Sequence, residues 1–192
     1  QIKNINSQYR LVHRLDKETS GLLLIAKNLN YAKKLSNLFK QKEITKYYIA
    51  LCEGNPKNYY SQVKLQIKNK KLKIENTLTN YKLLNKNKSI SSILFNPQTG
   101  KTHQLRIVSK NLGCPIVGDQ KYNIHSKYSK EKLMLHAIAL KFEVNTKKFE
   151  FISKLPDHFL SFVKKNNLKI SKDLKEYLNL SLIHISEPTR HK

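Results

Sequence analysis

Acidic residues are scarce in this 192-residue sequence: 13 Asp and Glu stand against 37 Lys and Arg, a formal charge of +24. Cysteine is scarcer still. Cys52 and Cys114 lie too far apart for a CxxC pair and are too few for a disulfide framework. A reduced, cytosolic chain with both thiols acting as small buried apolar groups is the simple reading. The seven histidines show no H-x-x-x-H or mixed Cys/His spacing, which argues against a zinc site. No apolar run approaches the roughly 18 residues of a membrane-spanning helix. No signal peptide is visible, and no internal repeat or Gly/Ser-rich or Pro-rich linker divides the chain. Apolar residues make up 39% and aromatics 9%, which is not a disordered composition. The length suits one domain with a real core and hardly two.

The positive charge draws polyanions and speeds their encounter. RNA is the first candidate partner and an anionic membrane surface the second. Nearly all of that charge is lysine, amid abundant Asn and Ile. AT-rich coding produces the same mixture whatever the partner, so charge alone does not decide. The patterning predicts an α+β fold with a mixed, largely antiparallel sheet flanked by helices. Residues 21–27, GLLLIAK, read as a short buried strand. Asn28 is placed to cap a helix to about Gln41, with Ala32, Leu35, Leu38 and Phe39 on its inner face. Ile44 to Leu51 reads as a strand ended by Gly54–Asn55–Pro56. Short strands are expected near 61–67, 70–75, 77–84 and 89–95, then a turn at 96–100. A helix over 101–112 closed by Gly113 follows. Strands at 133–144 and 148–152 and a helix from Pro156, with Phe159, Phe162 and Val163 inward, complete the body. Residues 171–192 read as a C-terminal helix and tail. In composition 181–192, SLIHISEPTRHK, departs from the body and reads as non-native or as a native disordered tail.

Three stretches carry chemistry. Residues 13–27, HRLDKETSGLLLIAK, form a charged turn that feeds an apolar run. An Asp there sits at the edge of the core beside a guanidinium, kept ionised yet shielded, as a nucleophile requires. Thr19, Ser20 and Gly21 suit the turn backbone. Taken alone, an Asp in a turn is more often structural. Residues 46–51, KYYIAL, place Tyr47 and Tyr48 on opposite faces of a strand, so one of them can reach a site and stack there. Residues 98–107 read QTGKTHQLRI.

These stretches resemble the signatures of the RluA-type RNA pseudouridine synthases. The first is similar to HRLD-x-x-TSGLLL-x-AK, the second to K-x-Y-x-A-L and the third to G-R-T-H-Q-L-R-V-H. Residues 112–122 resemble LG-x-P-I-x-GD-x-x-Y, and 133–137 resemble L-x-LHA; both are read as architecture, with Gly118–Asp119 a turn and His136 a buried hydrogen-bonded histidine. The resemblance runs from about residue 9 to 160 and implies the pseudouridine synthase catalytic fold over 1–170. It implies Asp16 as the catalytic carboxylate, Tyr48 as the active-site tyrosine stacking on uracil, and Arg106 as the arginine that pairs with Asp16. Arg14 then supports the flipped-out uridine. Lys46 and Lys101 are basic contacts, although Lys101 replaces an Arg and loses its bidentate fork. Leu105, or else Ile107, supplies an apolar wall. His103 is RNA-facing or structural rather than a general base. Ser109 departs from the family's later His.

The implied reaction isomerises uridine to pseudouridine in structured RNA. No cofactor and no metal is implied, nor any membrane or obligate protein partner. Large-subunit (23S) ribosomal RNA is the first expected substrate and transfer RNA the next; the location is cytoplasmic. The family's opening strand with a Lys-Pro pair, often behind a small RNA-binding domain, is not found in residues 1–8, so a fragment lacking its first strands is expected. Two other classes compete. A non-catalytic RNA-binding or ribosome-assembly protein shares the fold and charge but tolerates loss of Asp16. A basic membrane-surface protein needs a broad apolar helix face, whereas 28–41 and 156–167 read as core-packed helices.

Overall fold

A computed structural model describes residues 7–69, 71–170 and Leu178. The stretch 1–6 and the expected helix and tail over 171–192 lie outside the described residues, save for Leu178, which is buried in the core.

The strands are β1 (Arg10–Leu11), β2 (Ser20–Gly21), β3 (Ile25–Ala26), β4 (Thr45–Glu53), β5 (Tyr60–Lys68), β6 (Ile74–Lys86), β7 (Ile90–Pro97), β8 (Leu135–Val144) and β9 (Lys147–Ile152). The helices are α1 (Leu29–Gln41), α2 (Gln104–Asn111) and α3 (Asp157–Lys165). The main sheet runs β2–β8–β4–β7–β6–β5, and β9 pairs with β8 outside that path. Among the described residues, β2–β8 is the parallel pairing of this sheet, and its other pairings are antiparallel. β1 and β3 form a separate antiparallel pair. The architecture is the expected α+β arrangement.

Residue pattern explains the layering. In β4, Tyr47, Ile49, Ala50, Leu51 and Cys52 are all buried, because this central strand is covered on both faces. At the sheet's far side, β6 buries only every second residue, Thr77, Thr79, Tyr81 and Leu83, and leaves its other face outward. α2 contributes Leu105 and Val108, and α3 contributes Phe159, Phe162 and Val163, to the main core. α1 is capped as its sequence suggests: Asn28 Oδ1 accepts the Tyr31 N–H at 3.0 Å, and Lys42 closes the helix in the left-handed region. Its Ala32 and Leu35 join Ala26 in a smaller cluster with Leu38, Phe142 and Val144 packed against it. Among the described residues no helix is long and apolar enough to cross a membrane.

Three boundaries differ from expectation. Residues 21–27 are not one buried strand. The chain leaves β2 through Leu22, whose N–H bonds Ala137 O at 3.0 Å, and Leu24 N–H bonds His13 Nε2 at 2.8 Å. It then joins β1 at Ile25–Ala26, with Leu23 and Ile25 left exposed. An apolar run does not reveal that it serves two sheets. The strands expected at 70–75 and 77–84 are one strand, β6, because the reversal falls earlier, where Asn69 Oδ1 accepts the N–H groups of Lys71 and Lys73. The helix expected from Lys101 starts at Gln104, because His103 takes a left-handed conformation (φ 55).

One row of residues positions the site. Gly21 faces Ala137, Ala137 faces Tyr48, and Tyr48 faces Phe95 across four neighbouring strands. The β4–β8 register shifts between Tyr47 and Tyr48, an irregularity of the kind that re-aims a side chain. Gly21 has φ +107, and a Cβ there would lie 2.6 Å from Ala137 N and closer still to its carbonyl oxygen. Gly21→Ala is therefore expected to lower unfolding free energy by about 2 kcal/mol or more. Urea denaturation measures this; a change within about 0.5 kcal/mol would show that the close approach is dispensable.

Candidate active site

Asp16 opens a tight turn in which Thr19 N–H bonds Asp16 O at 2.9 Å. The turn is pinned on both flanks. Before it, His13 stacks on Phe39 with ring centroids 4.6 Å apart and accepts the Leu24 N–H. After it, Ser20 Oγ lies 2.8 Å from Nδ1 of His136, the expected buried and hydrogen-bonded histidine. The turn forms one wall of a cleft of about 590 Å³. Of the eight residues singled out by sequence, Arg14, Asp16, Lys46, Tyr48, Lys101 and Leu105 line this cleft. Arg106 and His103 line a second, adjoining cleft of about 400 Å³ with Lys17, Glu18, Gln120 and Lys121.

Tyr48 faces the cleft while its neighbour Tyr47 is buried in the core, as strand alternation requires. Burial, and secondarily the charge of Asp16, push the Tyr48 phenol up to about 12. It stays protonated at neutral pH, able to stack and to donate a hydrogen bond. Burial and the neighbouring Lys42 lower the pKa of Lys46. With Arg14, Lys40 and Lys42 it gives the cleft a basic rim. Lys101 is not a free phosphate contact: its Nζ is 3.0 Å from Glu75 Oε1. Leu105, not Ile107, forms the apolar wall.

The hydrogen bonds of Arg106 go to Asp119 and not, as expected, to Asp16, whose charge acts on Arg106 only secondarily to that bond. Arg106 donates from Nε and Nη2 to the two oxygens of Asp119, at 2.8 and 2.7 Å. This is the bidentate geometry expected of the guanidinium, directed to another carboxylate. Asp119 is 1% exposed and cannot remain charged there without a partner. Burial alone would raise its pKa, but Arg106 and the N–H groups of Tyr122 and Lys121 overcome that and hold it below the ordinary range. Asp119 has the sequence signature of a turn residue; nothing local marks it as a counter-ion.

Two more groups lie within the motif stretches but are not among the eight residues singled out. Gln104, within QTGKTHQLR, is a buried hub. Its Oε1 accepts Thr99 Oγ1 and Lys101 N, and its Nε2 donates to Thr79 Oγ1 and Leu78 O, which ties the 98–101 turn to the sheet. Tyr122 has its hydroxyl 3.0 Å from His103 Nδ1. Ser109, where the family pattern carries a His, is buried and donates to the Cys114 carbonyl beside Cys52 Sγ. Burial pushes the Cys52 thiol up and Cys114 to about 11, so both are unreactive core groups. Among the described residues no cluster of three or more His, Cys, Asp or Glu is placed to hold a metal.

A carboxylate and a neutral phenol facing one cleft under a basic rim suit chemistry on a base extruded from a polyanion. The sequence profile of the RNA pseudouridylate synthase family matches residues 3–111. The chain belongs to that family. It is 42% identical over 179 residues to the ribosomal large subunit pseudouridine synthase C of Rickettsia bellii, covering 82% of this chain and 58% of the relative. It is 37% identical over 165 residues to the ribosomal large subunit pseudouridine synthase D of Borreliella burgdorferi, covering 80% of this chain and 51% of the relative. The chain thus spans little more than half the length of these relatives. Among solved structures, human RNA pseudouridylate synthase domain containing 1 superposes with a TM-score of 0.77 at 26% identity, over 97% of this chain and 85% of the human one.

The histidines that pin the Asp16 turn set a pH limit. Burial, then Lys46, lowers His13 to about 4; burial, then His158, lowers His136 to about 4. In the unfolded chain both titrate near 6.5. As pH falls below about 6.5 the unfolded state binds protons first, so stability is full above that value and declines toward pH 4. Urea denaturation from pH 7 to 4.5 is expected to show this fall, with a shallower slope in His136→Gln. Stability that holds constant over the range would refute the assignment of both imidazoles as neutral.

Proposed function

We propose that this chain is the catalytic part of an RNA pseudouridine synthase acting on large-subunit (23S) ribosomal RNA in the cytoplasm. The observation that carries the reading is the convergence of Asp16 and Tyr48 on one cleft beneath a basic rim. The bacterial relatives with ribosomal large subunit synthase names support the substrate class. A uridine leaves its stack and enters the cleft, where Tyr48 stacks on the uracil. Arg14, exposed at the cleft edge, takes up the space it vacates. The N1–C1′ bond breaks, the uracil turns, and a C5–C1′ bond forms; C5 loses a proton and N1 gains one, so atoms balance with no donor or redox step. Asp16 serves either as nucleophile at C1′ or as base at C2′, and both routes require its carboxylate. Lysines of the rim bind phosphates, which makes affinity fall with salt.

A transfer RNA substrate is the alternative within the class. A non-catalytic RNA-binding protein is the alternative outside it, but that reading gives the Asp16 and Tyr48 arrangement nothing to do. Tritium release from RNA labelled at uridine C5 separates the two. Asp16→Asn is expected to reduce release by about 10³-fold or more while RNA affinity stays within about threefold. Retained release would remove Asp16 from the chemistry. Carbodiimide mapping of ribosomal and transfer RNA, from cells lacking the gene and complemented with wild type or Asp16→Asn, identifies the uridine.

A further inference from the structure

We propose that the second, smaller cleft is a phosphodiester site, which holds the RNA backbone beside the uridine that enters the first. The proposal rests on the reading of the chain as an RNA pseudouridine synthase and adds to it a second place where the strand is held. The cleft, of about 400 Å³, is lined by Lys17, Glu18, His103, Arg106, Gln120 and Lys121. It shares no lining residue with the cleft of Asp16 and Tyr48, so the basic rim of Arg14, Lys40, Lys42 and Lys46 plays no part in it.

The turn that carries Asp16 divides the two clefts. Arg14, Asp16 and Thr19 line the first, while Lys17 and Glu18 line the second. The start of α2 repeats the division: Gln104 and Leu105 line the first cleft, and His103 and Arg106 line the second. The two clefts approach one another at the carboxylate, where His103 Nε2 lies 4.0 Å from Asp16 Oδ1. A polymer can cross that partition where a small ligand cannot. Each ribose of an RNA strand is flanked by a phosphate on either side. A ribose held over Asp16 therefore brings a phosphate next to the second cleft.

Two lysines supply the charge. Lys17 and Lys121 are exposed, and among the described residues no ion pair takes up either of them. Lys121 is held at its root. Its backbone N–H donates to Asp119 Oδ1 at 3.0 Å, and its Nζ lies 5.4 Å from the centroid of the Tyr122 ring. The Tyr122 hydroxyl is in turn 3.0 Å from His103 Nδ1. The wall of the cleft is thus tied to the buried Arg106–Asp119 pair, and its shape is set before an anion arrives.

The other lining groups shape the site without adding free charge. Arg106 is not a free cation: Asp119 takes two of its donors, and the charge of Asp16 acts on it as well. Burial, against the pull of Asp16, keeps the His103 imidazole below its ordinary range, so it contributes a polar edge and no charge at neutral pH. Glu18, also exposed, opposes an anion. Lysine ammoniums meet phosphate as point charges and carry no preference for one base. No Phe, Tyr or Trp lines the cleft to stack on a base. The site therefore fixes the register of the strand and neither reads its sequence nor enters the bond exchange.

The test is RNA binding by the 192-residue chain across a salt series, with tritium release measured beside it. The probe is 23S ribosomal RNA transcribed in vitro with uridine tritiated at C5. Lys17→Gln/Lys121→Gln is expected to weaken binding by about tenfold. The slope of log affinity against log salt becomes shallower by about one, as loss of a phosphate contact requires. In turnover the loss falls on KM rather than on kcat. Glu18→Gln shifts affinity the other way, by about twofold. Lys147→Gln/Lys148→Gln, on β9 and outside both clefts, removes the same charge and costs less than about threefold. Equal losses in the two double variants overturn the proposal, because the second cleft then adds only to the general field of the protein. Wild-type affinity in Lys17→Gln/Lys121→Gln overturns it too, as does a fall in kcat at unchanged KM. Tritium release by wild type and Asp16→Asn tests the synthase reading separately. No release from wild type, or full release from Asp16→Asn, defeats that reading and leaves binding to decide the cleft. Normal release beside an unaffected Lys17→Gln/Lys121→Gln defeats only the phosphodiester site.

Discussion

The parallel contact of Ser20–Gly21 with His136–Ala137 is the constraint on which the site depends. It is two residues long, yet it fixes the turn carrying Asp16 against the central strands. Gly21 supplies an absent side chain and a backbone conformation that other residues resist, and Ala137 supplies the smallest partner that still has a Cβ. The same Ala137 faces Tyr48 on its other side. One small residue therefore sets the spacing between the turn that bears the carboxylate and the strand that bears the phenol. A bulkier residue at either place would push the turn outward, and Asp16 with it.

The scarcity of acids governs how the charge is distributed. With 13 acidic residues against 37 basic ones, most cations have no carboxylate to pair with. Asp119 is paired with Arg106, and Glu75 with Lys101. The two pairs differ in energetic weight. The Arg106–Asp119 pair is buried, and removing one partner from such a pair costs about 3–5 kcal/mol because the other is left charged and desolvated. The Lys101–Glu75 pair is partly exposed, and pairs of that kind contribute about 1 kcal/mol or less. The first is a structural anchor. The second is weak enough for a phosphate to compete for Lys101.

Much of this is legible in the sequence, for identifiable reasons. The alternation of Tyr47 and Tyr48 follows from strand geometry, and the cap at Asn28 and the inner faces of α1 and α3 follow from helical spacing. The motif around Asp16 identifies the family. What the sequence hides are features that depend on distant residues. GLLLIAK looks like one strand because apolar runs carry no record of which sheet they join, and the break after Gly21 is dictated by Ala137, far along the chain. The start of α2 is displaced from its expected place because nothing in KTHQLR announces that His103 turns left-handed. Arg106 is recognisable as an ion-pairing arginine, but its partner is not. Bidentate geometry follows from the guanidinium itself, while the identity of the carboxylate depends on how the turn at Gly118–Asp119 packs.

The pairing of Arg106 with Asp119 shows how such a site can be built. A guanidinium bonded directly to a reacting carboxylate holds it firmly but also competes with the substrate for its oxygens. An arginine bonded to a second, buried carboxylate keeps the same rigidity one step away. Asp119 receives four hydrogen bonds, two from Arg106 and one each from the Lys121 and Tyr122 backbone, so it is satisfied without Asp16. Asp16 is left with the N–H of its own turn on its backbone carbonyl, His103 Nε2 4.0 Å from Oδ1, the charge of Arg106 acting on it without a hydrogen bond, and an open cleft before its carboxylate. Any ligand that fills this cleft and expels water lowers the local dielectric and strengthens every remaining interaction of that carboxylate. The charge is thus more strongly directed when the cleft is filled than when it is open.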